Sequence, residues 1–137
     1  MALPNGAGGY QVGDGNLNEP LIDAIPDPVS VTTTTTFTAA QVLNGLILAN
    51  SGITANVAYT LPTVADLEAV LINSDKVGTS FTFRLINLGT SSGTATITTN
   101  TGWTITGSLT MVVPVTTGAM LVARKSGTGA WTLYRVA

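Results

Sequence analysis

Ser80-Phe-Thr-Phe-Arg-Leu-Ile-Asn87 reads as a β-strand. Aromatic and β-branched residues fill it, and no Gly or Pro interrupts it. Side chains alternate on a pleated strand, so Phe81, Phe83 and Leu85 share one side and Thr82, Arg84 and Ile86 the other. The same texture continues outward in both directions. Upstream it covers Thr32 to Phe37, Leu46 to Asn50 and Ala55 to Leu61; downstream it covers Gly93 to Thr99, Trp103 to Thr106, Leu109 to Val115, Ala119 to Lys125 and Ala130 to Val136. Gly, Ser and Asn punctuate these runs. The chain therefore reads as all-β, and the spacing of strands and turns predicts a β-sandwich or jelly-roll-like domain over residues 31–137. No internal repeat is visible.

Two short helices interrupt the β pattern. Thr38-Ala-Ala-Gln41 is a capping box, in which a Thr hydroxyl and a side chain three residues on satisfy free backbone N–H groups, and Gly45 is placed to end that helix. Thr63-Val-Ala-Asp66 opens the second with Asp where Glu is preferred. Val64, Leu67, Val70 and Leu71 then form an apolar stripe expected to face the sheet.

Residues 1–30 differ in kind. Gly6, Gly8, Gly9, Gly13 and Gly15, with Pro4, Pro20, Pro26 and Pro28, break any period of 2 or 3.6. Proline favours extended backbone at its own position and the one before, so this segment reads as an extended arm. Leu17, Leu21, Ile22, Ile25 and Val29 are its apolar anchors, suited to pockets on a neighbour, with a flexible leader as the plainer alternative.

The 137-residue length suits one core. Charged residues make up 9% of the chain, against roughly 25% in ordinary soluble domains. Two readings compete: a surface covered by other protein, or a Thr-rich β surface kept soluble by hydroxyls. A net charge of −2 provides no basic stripe for a phosphate backbone, so nucleic acid is not an expected partner. No apolar run approaches the roughly 20 residues of a membrane span, and no secretory leader is expected at Met1.

Histidine and cysteine are both absent, which removes the common nucleophile–base pairs and transition-metal ligands. Of the acids, Asp66 and Glu68 stand two apart on a helix and point to different sides, which argues against a catalytic dyad. Asp14-Gly-Asn-Leu-Asn18 begins like a calcium loop, but Glu19 stands where the turn Gly belongs and Ile25 where the closing Glu belongs. No enzyme activity, cofactor or metal is expected. Among the cations, Arg84, Arg124 and Lys125 are candidate partner-binding residues, since Arg forms bidentate pairs with carboxylates on a neighbour. Solvated strand ends are the plainer account of them. Trp103 and Trp131 follow strand alternation and read as packing aromatics rather than a sugar-stacking pair.

The Gly/Pro arm, Tyr59-Thr-Leu-Pro-Thr63 with Ala65-Asp-Leu-Glu-Ala-Val-Leu71, Val77-Gly-Thr-Ser-Phe-Thr-Phe-Arg-Leu-Ile-Asn87 and Trp131-Thr-Leu-Tyr-Arg-Val136 together resemble small structural proteins of tailed bacteriophages, in particular capsid decoration (cement) proteins. The resemblance implies a homo-oligomer, often a trimer, made in the host cytoplasm and seated on the virion's capsid surface. Its partner would be the major capsid protein, and its work would be to clamp neighbouring capsomers. A phage tail-fibre or host-receptor-binding β domain is the main alternative, although such domains often carry a fibrous repeat.

Overall fold

The computed structural model describes residues 24–49, 55–106 and 111–137. Among these residues ten strands and two helices occur in chain order: β1 (Val29–Val31), β2 (Thr35–Thr36), α1 (Ala39–Leu43), β3 (Leu46–Ala49), β4 (Val57–Thr60), α2 (Val64–Val70), β5 (Ser80–Asn87), β6 (Ala95–Thr98), β7 (Trp103–Thr106), β8 (Val112–Val113), β9 (Gly118–Gly127) and β10 (Ala130–Arg135). The chain is mostly strand, and β5 and β7 match their predicted bounds. β1 straddles the end of the predicted 1–30 arm, concealed by Pro26 and Pro28 beside it, and Val29, read as an anchor for a neighbour, instead pairs with Ile47 and packs against this chain's own core.

The strands form a six-stranded sheet in the order β1-β3-β5-β9-β10-β7 and a four-stranded sheet in the order β2-β4-β6-β8. A jelly roll joins neighbouring strands antiparallel. Here five of the eight pairings are parallel, so the jelly-roll topology expected from strand spacing is not the one found. From β1 to β6 the chain alternates between the sheets and returns each time parallel to its earlier pass, making three stacked rungs. Leu46 faces Arg84 and Val57 faces Ala95, the same 38-residue step that separates Thr60 from Thr98.

The two helices occupy equivalent places, each between a strand of the smaller sheet and the next strand of the larger. Thr38 caps α1 as predicted: its hydroxyl accepts from the Gln41 N–H at 3.2 Å, and the Thr38 N–H donates to Gln41 Oε1 at 2.9 Å. At α2, the Asp66 N–H donates to the Thr63 hydroxyl, which donates in turn to the Asp66 carboxylate at 2.7 Å. Asp is too short to reach back to the cap's own N–H, so only half of the box forms. Val64 and Leu67 are buried, but Val70 is 54% exposed and Leu71 half-buried, so the predicted stripe ends after one turn.

The third rung replaces the helix with a turn at Gly102 (φ +90°), where an added Cβ would sit 2.7 Å from Val64. That turn leads into β7. One core then joins Ile47, Tyr59, Leu67, Phe83, Leu121 and Trp131 across both sheets.

Candidate partner-binding surfaces

Strand parity sorts the six-stranded sheet into two faces. Phe83 and Leu85 on β5, Leu121 and Ala123 on β9, and Trp131 and Leu133 on β10 point into the core. The opposite face carries Leu46 and Leu48 on β3, Ile86 on β5, Met120 and Val122 on β9, and Tyr134 on β10, all partly exposed. They lie in adjoining rows: Leu48 faces Ile86, Leu46 and Met120 flank Arg84, and Val122 faces Tyr134. Arg84 and Arg124 are the charges among them, both exposed. No ion pair to either is found among the described residues.

Lys125 belongs elsewhere. It shares the inward side of β9 with Leu121 and Ala123 and is buried, its ammonium donating to the Glu68 carboxylate on α2. The sequence reading of Lys125 as a partner-binding cation is therefore corrected: a buried ammonium already paired with a carboxylate of its own chain has nothing to offer a neighbour. The same Glu68 oxygen accepts from the Trp131 indole N–H at 3.0 Å, and the Lys125 ammonium lies 6.0 Å from the Trp131 ring centre. The candidate partner residues Leu17, Leu21 and Ile22 lie outside the described residues; Ile25 is 48% exposed.

Glu68 accepting from Lys125 and Trp131 holds its carboxyl below the ordinary value of 4.5, against a smaller opposing effect of burial. A carboxyl that is more acidic in the fold contributes stability above its unfolded value and loses it as pH falls through the folded one. Urea midpoints are expected to fall between neutral pH and about pH 3, and Glu68→Gln is expected to flatten that slope. An unchanged slope would count against this assignment.

A second surface surrounds the start of both helices. Phe37, Ala39, Pro62, Asp66, Val70 and Asn100 line a groove of about 460 Å³. Beyond it, in the stretch after α2, Ile72 and Val77 are 76% and 59% exposed. The sequence reading assigned Val70 to the core and gave no role to Ile72 or Val77; with Asn73, Ser74, Asp75 and Lys76 between them, no local pattern marked the pair.

Chemistry is sparse on both surfaces. Asp66 is engaged by Thr63, and burial pushes the Tyr59 phenol up to about 12, where it stays protonated and donates to Val31 O at 3.3 Å. No cluster of three potential metal-ligating acids occurs among the described residues. Trp103 and Trp131 pack in the core, ring centres 6.2 Å apart, so neither is presented to a sugar. No protein-family model, curated protein or solved structure matches this chain.

Proposed function

We propose that the protein is a non-enzymatic virion structural protein that binds the outside of a phage capsid and clamps neighbouring capsomers. The observation that carries a docking role is Val70, which lines the helix-end groove while 54% exposed and is followed in the chain by the exposed Ile72 and Val77. Solvent gains nothing from three such side chains in eight residues, whereas a protein partner covering them gains apolar burial. The capsid as partner rests on the sequence resemblance. In this reading the two sheets act as a sandwich-like wedge whose helix end meets the major capsid protein, and copies associate as a homo-oligomer, a trimer by the same resemblance. Three weak contacts held together then act with avidity.

Cryo-electron microscopy of the particle tests the reading, with purified protein added back to capsids lacking it. Density between capsomers, lost with Val70→Asp/Ile72→Asp, is the expected result. Density confined to the tail would move the assignment to a fibre or receptor-binding domain.

A further inference from the structure

The outward face of the six-stranded sheet carries a pattern of charge set in apolar surface. Arg84 stands between Leu46 and Met120 in one row, and the row beside it, toward the end of β5, pairs Leu48 with Ile86. In the other direction come Thr82 with Val122, then Ser80 with Arg124. No described position on this face is Asp or Glu, and both guanidiniums are exposed without an ion pair among the described residues.

The spacing fixes what complements them. Arg84 and Arg124 lie four residues apart on neighbouring strands, about 13 Å lengthwise and about 5 Å sideways. Two residues four apart on any strand share a side at the same step of about 13 Å, with one further side chain between them. A strand with acids at those two places and an apolar residue between sets a carboxylate on each guanidinium and an apolar group on Val122. Sheets packed face to face run nearly aligned at about 10 Å, so such a strand lies along β5 and β9 within reach of both arginines.

A second copy does not supply that strand. Its six-stranded sheet would set arginine against arginine, and the outward face of its smaller sheet, with Thr36, Thr60 and Thr98 in line beside Val112, has no acid among the described residues. Its described exposed acids, Asp27, Asp66 and Asp75, all lie outside the strands. We propose that this face binds an acidic β-strand of a different protein, with carboxylates four residues apart paired to Arg84 and Arg124. This contact is separate from the helix end on which the functional reading rests.

A fluorophore-labelled peptide, Leu-Thr-Glu-Thr-Val-Thr-Glu-Thr-Leu, titrated into the full chain at low salt tests it by anisotropy, with NMR amide shifts locating the contact. Binding that moves the amides of Arg84, Val122 and Arg124 is the expected result. Arg84→Gln/Arg124→Gln is expected to weaken it by about threefold to tenfold. Arg84→Glu/Arg124→Glu is expected to abolish it and to transfer preference to the same peptide with Lys in place of Glu. Both pairs change exposed side chains, and circular dichroism matching wild type confirms the fold. No binding at millimolar peptide, binding indifferent to both variants, or shifts confined to the helix-end groove overturns the proposal. So does tighter binding of dextran sulfate at equal charge, which marks a general anion surface. A wild-type oligomer that dissociates with Arg84→Glu/Arg124→Glu also overturns it, because a second copy then covers the face. Val70→Asp/Ile72→Asp scores capsid docking separately, so either reading can fail while the other stands.

Discussion

Trp131→Ala is expected to lower the stability of the fold by about 3–5 kcal/mol, the usual range for removing a large buried aromatic. Trp131 is fully buried at the start of β10, beside Trp103 of the parallel strand β7. Its ring lies 5.7 Å from Phe81 and 6.2 Å from Trp103, tilted against both, so truncation leaves a cavity and strips two aromatic neighbours of their partner. The indole N–H also donates to Glu68, so the change removes one of the two donors on a partly buried carboxylate. Trp131→Phe separates the two effects: the ring remains, the N–H goes, and the expected loss is about 1–2 kcal/mol. Urea unfolding followed by far-ultraviolet circular dichroism measures both. A loss under about 1 kcal/mol for the alanine variant contradicts a core anchored on this ring.

The strands were legible where their side chains alternate, and the order of the strands was not. Phe81, Phe83 and Leu85 marked the inward side of β5 because period 2 is imposed by the pleat. Pairing direction leaves no such mark, since parallel and antiparallel strands share the same alternation. The rungs also hid themselves. Val29 pairs with Ile47, Thr35 with Tyr59 and Leu46 with Arg84, steps that differ from rung to rung because the connections differ in length. A repeat search needs a fixed period, and only the last two rungs share one. The helix starts were legible because a capping box is a local device needing nothing beyond four residues.

The candidate surfaces were half legible. Arg84 and Arg124 fall on the outward side of their strands, as alternation places them. Lys125 was read by its charge, when its parity with Leu121 and Ala123 already turned it inward. What the sequence had no means of showing is that Glu68, 57 residues earlier on α2, stands ready to receive it. A buried cation needs a partner, and partners distant in the chain meet only in the fold.

The same rule, applied to a neutral polar group, makes Asn87 the second large liability. It shares the inward side of β5 with Phe83 and Leu85, where an apolar residue would be expected, and it is fully buried. Its amide nitrogen donates to Gly93 O and to Val113 O, both at 3.0 Å, and its carbonyl accepts from the Gly89 N–H at 2.9 Å. Val113 lies in β8 of the smaller sheet, so one side chain ties the end of β5 to the other sheet and closes the turn that follows it. Asn87→Ala takes a hydrogen-bond partner from each of two carbonyls and one N–H, at roughly 1–3 kcal/mol for each group left unsatisfied. The expected loss is about 3–5 kcal/mol, below the full sum because a side-chain-sized space admits some water. Asn87→Asp distinguishes lost bonds from lost volume. It keeps the shape and the acceptor but turns a carboxylate toward two carbonyls, so the variant is expected to be least stable at neutral pH and to recover as the carboxyl is protonated. That slope runs opposite to the one set by Glu68. Urea midpoints across the acid range read it directly; an Asp variant as stable as wild type at neutral pH would show that Asn87 does not bridge the sheets.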